Sequence, residues 1–137
     1  MNKLKILHKY FMRAHILYRH YEEQMEIVTN ENMTDRDREF AKIKFWLYLD
    51  LWYWSLAVLI EVYKKMAIKS IPINTLLKSN NTKLLIDYRN SIFHFEENDE
   101  RQQNFYKETS TVDWIRELHS EFNRFFLEKI KNGELKP

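Results

Sequence analysis

From Thr34 to about Ala67 the sequence contains neither a glycine nor a proline, and within it the sixteen residues Phe45 to Ile60 include only two clearly polar ones, Asp50 and Ser55. Glycine and proline are the residues that end helices, so a stretch this long without them is expected to be one continuous helix. Its start is marked by Thr34-Asp35-Arg36-Asp37, where the Thr34 hydroxyl can accept from the Asp37 amide while both acids sit at the positive end of the helix dipole. Lys64 and Lys65 suit its negative end. The apolar run would extend about 24 Å, short of a hydrocarbon core about 30 Å thick, and carries an acid near its middle. Burial within a fold or a dimer interface is therefore expected rather than a membrane span. Packing is likewise the expected role of Trp46, Tyr48, Trp52, Tyr53 and Trp54, in preference to base stacking.

The rest of the chain has the same character. Leu4, Leu7, Phe11, Ala14, Tyr18, Tyr21, Met25 and Val28 alternate three and four residues apart, an apolar stripe down a first helix ending near Thr29-Asn30. Ile6, Tyr10 and Leu17 widen that stripe enough for a bundle. Pro72 and Ser79-Asn80-Asn81 break the chain, leaving a short helical turn around Asn74 to Leu77. A further helix is predicted from after Asn81 to about Phe95, with Leu85, Tyr88, Ile92 and Phe95 buried. Glu96 to Thr109 reads as a polar linker of functional length. Ser110-Thr111-Val112-Asp113 reads as a capping box opening a last helix, with Ile115, Leu118, Phe122 and Phe125 on its inner face and Gly133 just past its end. One all-α domain spanning 1–137 is the predicted architecture; its length allows burial of roughly two-thirds of the unfolded surface. A single glycine and 45% hydrophobic content argue against disorder and against a sheet fold rich in tight turns.

A net charge of +2 does not by itself mark a nucleic-acid binder. Location matters more. Residues 1 to 21 hold Lys3, Lys5, Lys9, Arg13 and Arg19 with no acid, and Lys5, Lys9 and Arg13 share a face that can track an RNA backbone or simply be solvated. The absence of cysteine removes disulfides, thiolate nucleophiles and Cys-based zinc sites. The basic residues threaded through the first nine positions do not resemble a signal peptide, so a cytoplasmic location is expected. His8, His15 and His20 lack the i, i+4 spacing of helical metal pairs, and no metal or cofactor is expected. His119, between Leu118 and Phe122, is expected to be structural, and Asp50 to be either hydrogen-bonded inside or turned toward a dimer cleft.

Arg89-Asn90-Ser91-Ile92-Phe93-His94 carries the chemistry. On a helix Asn90 and His94 share a face, and Arg89, about 140° round from His94, reaches across with its long side chain. A histidine of ordinary pKa near 6.5 can take a proton from a 2′-hydroxyl or give one to a leaving 5′-oxygen. A guanidinium can stabilise the charge that builds on phosphorus. Asn90 can hold the imidazole or donate to the phosphate. Acid and base roles want two such groups, which a two-fold dimer would supply.

These residues resemble the Rx4–6H element of the HEPN domain family in its RNxxxH form. The resemblance implies a bundle of four or five helices and a symmetric homodimer with the active cleft between the two motif helices. It also implies a metal-independent endoribonuclease leaving a cyclic phosphate, as in HEPN-type RNase toxins and defence effectors. The partners implied are a second copy, an RNA substrate, and an antitoxin or nucleotidyltransferase. Members paired with a nucleotidyltransferase often carry a tyrosine where this chain has Glu96. Glu96, Glu97, Asp99 and Glu100 beside the motif would repel phosphates. They motivate the alternative reading, a non-catalytic helical module binding a partner protein or nucleotide through the same cleft.

Overall fold

A computed structural model describes residues 2–92, 100–107 and 109–137. The described residues are all-helical: α1 (Lys3–Thr29), α2 (Asp35–Met66), α3 (Ile71–Leu77), α4 (Asn81–Ile92), α5 (Glu100–Lys107) and α6 (Thr109–Lys131). α1 and α2 form an antiparallel hairpin. Ring contacts pair Tyr21 with Phe45, His20 with Tyr48 and Tyr18 with Trp52, so one position rises as the other falls. α6 runs back along α1 in the same manner, with His119 against His15 and Phe126 against His8 and Phe11.

The local signals explain most of these boundaries. Asn2 caps α1 by accepting from the Lys5 amide, and Thr34 caps α2 by accepting from the Asp37 amide at 3.1 Å. Ser70 caps α3, whose first turn holds Pro72, a position where a missing N–H costs nothing. Tyr63 ties this helix down: its hydroxyl donates to Asn74 Oδ1 at 2.6 Å and accepts from the Ser70 amide at 3.0 Å. Gly133, at φ 76°, closes α6, with its amide donating to Ile130 O and that of Glu134 to Lys129 O. α2 ends less comfortably, since Ala67 takes the left-handed conformation at φ 52° without being glycine.

The core gathers the predicted faces. Leu7, Phe11, Ala14 and Tyr21 from α1 meet Trp52, Tyr53, Leu56, Leu59 and Ile60 from α2, Leu85 and Tyr88 from α4, and Ile115, Leu118, Phe122 and Phe125 from α6. Each large apolar side chain so buried contributes on the order of 1.5–3 kcal/mol.

A polar joint lies inside this core. The Trp52 indole N–H donates to His119 Nδ1 at 3.1 Å, and His119 Nε2 lies 3.2 Å from His15 Nδ1. An indole N–H can only donate, so His119 Nδ1 must accept. The neutral ring then carries its proton on Nε2 and donates it to His15. Burial, with His15 beside it, lowers the pKa of His119 to about 4, so this chain of uncharged rings is the form present near neutrality. His119 is structural, as its sequence position suggests.

Three expectations are corrected. The linker expected over Glu96 to Thr109 contains a helix, α5, because Phe105 drives into the core against Tyr88, 4.5 Å away, and Tyr53. The capping box expected at Ser110 does not open α6, which already includes Thr109; Thr111 is buried and its hydroxyl donates to Asn81 Oδ1 at 3.0 Å. The length argument against a membrane span also falls, because the apolar run belongs to a 32-residue helix about 48 Å long. By length and composition alone α2 suffices to cross a membrane, but 44% of its most apolar window is buried against the other helices.

Candidate functional site

α4 positions the motif. Leu85 and Tyr88 point into the core and Ile92 packs at its edge, which turns Arg89 to the rim and leaves Asn90 exposed. The predicted register of α4 is therefore observed over Asn81–Ile92. His94 and Phe95, with Glu96, Glu97 and Asp99 of the acidic cluster, lie outside the described residues, while Glu100 opens α5 and is exposed.

Arg89 does not extend freely into solvent. Its side chain is 18% exposed, and Nη1 donates to Glu61 Oε1 of α2 at 2.5 Å. Nε and Nη2 both donate to Asn90 Oδ1 at 3.2 Å. The guanidinium is thus held between a carboxylate and an amide oxygen. With Asn90 Oδ1 accepting from Arg89, the amide nitrogen of Asn90 is the group left to meet a ligand.

Immediately before Arg89, Tyr88 donates from its hydroxyl to Asp50 Oδ1, a contact that fastens α4 to α2. Burial pushes the Asp50 carboxyl above its ordinary range, and the Tyr88 hydrogen bond opposes that shift in part. Of the two roles foreseen for Asp50, the interior hydrogen bond is the one observed.

Beside this site the outward side of α2 is apolar and exposed among the described residues. Phe40, Ile43, Leu47 and Trp54 follow helical spacing and stay exposed, Ile43 at 68% and Leu47 at 52%. Glu61 continues the same face, so the apolar stripe runs directly to the carboxylate that holds Arg89. Of the aromatic cluster read from the sequence, Trp52 and Tyr53 are core, Tyr48 stacks on His20, and Trp46 and Trp54 are exposed.

Lys5, Lys9 and Arg13 are exposed on α1 as expected, but they serve two different grooves. Lys5 and Lys9 border a cleft of about 870 Å³ against Gly133–Pro137. Arg13, stacked 5.0 Å over Tyr10, borders an apolar groove of about 300 Å³ with Ile16, Trp54 and Val58, one helical turn from Glu61. Of the three, only Arg13 approaches the side of α2 that carries the motif contact.

Among known proteins, the chain matches no family model, no curated protein and no solved structure. The residue that sequence reasoning missed here is Glu61. Its only signal was an acid ending an otherwise apolar run, which reads as the edge of a buried helix unless the packing of α4 is known.

Proposed function

We propose that the chain is a HEPN-type, metal-independent endoribonuclease that works as a homodimer, as toxins and defence effectors of that kind do. The observation that carries this reading is the Arg89–Asn90 pair of the RNxxxH sequence, held at the rim of α4 by core residues on one side and by Glu61 on the other. In this reading His94 removes the 2′-hydroxyl proton. The freed oxygen attacks phosphorus, the bond to the 5′-oxygen breaks, and the partner's His94 protonates that leaving oxygen. Arg89 stabilises the developing charge and Asn90 orients the phosphate or the imidazole. The product is a 2′,3′-cyclic phosphate with a free 5′-hydroxyl, and no metal enters.

The exposed stripe of α2 supports the dimer, because apolar faces of this kind mark association surfaces and this one adjoins Arg89. Expression of the wild-type chain should arrest growth and yield RNA fragments with cyclic phosphate ends, and Arg89→Ala should abolish both. Arrest that persists in Arg89→Ala would remove the reading.

The Arg89–Glu61 pair favours a second reading, a non-catalytic module whose motif cleft binds a partner protein or a nucleotide. A guanidinium already neutralised by a carboxylate is a structural tie unless a competing anion draws it away. Co-purification with a stable partner, without RNA degradation, would select this alternative.

A further inference from the structure

On the opposite side of α2 from Arg89, the joint of Trp52, His119 and His15 opens into a cleft of about 240 Å³ between α1 and α6. α6 lines it with Arg116, His119, Ser120 and Asn123, which at i, i+3, i+4 and i+7 form one polar stripe on a helix whose other face is core. Tyr18 and His15 close it from α1.

The lining is rich in donors that have no partner among the described residues. Arg116 makes no ion pair among the described residues, whereas neighbouring Arg124 is bound to Glu121 at 3.3 Å. Ser55, Ser91, Thr29 and Thr75 all turn their hydroxyls back onto carbonyls of their own helices; Ser120 does not. Asn123 likewise has no hydrogen-bond partner among the described residues. His15 is fixed as a donor by the ring chain: its Nδ1 accepts from His119, so the neutral ring carries its proton on Nε2, which is unpartnered among the described residues. Glu22, the acid whose charge reaches His15, is paired with Arg19 at 3.5 Å.

We propose that this cleft binds a small phosphate-class oxyanion, with the Arg116 guanidinium and the Nε2–H of His15 as principal donors and Ser120 and Asn123 completing the shell. A planar guanidinium grips two oxygens in parallel, and hydroxyl, amide and imidazole donors suit the remaining ones. Trp52 is a positioning residue: through His119 it dictates which nitrogen of His15 carries the proton. The site is independent of the motif reading, because it lies across α2 from Arg89.

The test is a nitrogen-resolved NMR titration of the full chain near pH 7.5 with inorganic phosphate and, separately, with adenosine 5′-monophosphate. The two probes distinguish a free ion from the terminal phosphate of a larger molecule. The unliganded spectrum should show the His15 proton on Nε2. Either probe should then shift the His15 and Arg116 signals saturably, with a dissociation constant of about 1 mM or tighter. Arg116→Ala should weaken binding at least about tenfold, and Asn123→Ala less, since charge-assisted hydrogen bonds are the stronger kind. Arg124→Ala and Arg89→Ala should leave it unchanged. A His15 proton on Nδ1, failure of both probes to saturate, or equal losses in Arg116→Ala and Arg124→Ala would overturn the proposal. Loss of phosphate binding in Arg89→Ala would assign the anion to the motif instead.

Discussion

The two sides of α2 carry polar contacts of opposite kinds. Toward α1 and α6, Trp52, His119 and His15 form an uncharged chain in the core. Toward α4 and solvent, Glu61 and Arg89 form a charged pair at the rim, next to an apolar stripe left exposed among the described residues. Burial accounts for the difference, because low-dielectric surroundings favour neutral forms and a half-exposed edge tolerates ions. The inner joint therefore holds the fold together, whereas the outer side presents exposed apolar surface beside a charged pair.

Two tryptophans two residues apart offer the sharpest break of this contrast. Trp52→Ala should cost about 3–5 kcal/mol in urea unfolding, by leaving a cavity and orphaning His119. Trp54→Ala, on the outer side and 40% exposed, should cost the monomer less, about 1–2 kcal/mol. Comparable losses would mean that both sides are core.

Acid should act on the inner joint next. The unfolded His119 titrates near 6.5 and the folded one at about 4, so between these values the unfolded state holds the extra proton. Stability should therefore be unaffected by this group above pH 6.5 and fall as the pH drops toward 4, by about 3 kcal/mol in total. Urea midpoints measured across this range check it, and His119→Gln should flatten the slope.

Leu47→Asp sharpens the outer side. In the proposed homodimer this charge should weaken association at least about tenfold in sedimentation equilibrium while leaving the helical spectrum intact. Wild-type protein that is monomeric at every concentration would remove the second copy. The smallest effect is expected at a helix end: Ala67→Gly should stabilise by a few tenths to about 1 kcal/mol, as the left-handed turn at φ 52° loses its Cβ penalty.

How legible these features were depends on how local their causes are. α1, α2 and the inner face of α6 declare themselves through apolar spacing, and Thr34 through a side chain three residues from its partner. α5 was hidden because its burial depends on Phe105, whose partners Tyr53 and Tyr88 come from distant helices. The Ser110 box misled because Thr111 answers to Asn81, thirty residues away, rather than to its own helix end. The same holds for the candidate sites. The register of α4, and so the place of Arg89 and Asn90 on it, could be read directly, but the Glu61 contact to Arg89 could not. The His15–His119 contact joins residues 104 apart, a separation that no local pattern in the sequence declares.

The most direct measurement is RNA cleavage in excess chelator by the wild-type chain, His94→Ala and Glu61→Gln, at concentrations where the wild type is dimeric. The expected result is fragments from the wild type, none from His94→Ala, and cleavage by Glu61→Gln equal to or faster than the wild type once Arg89 is released from its carboxylate. Fragments from His94→Ala as abundant as from the wild type, or an inert wild-type dimer, would contradict the account.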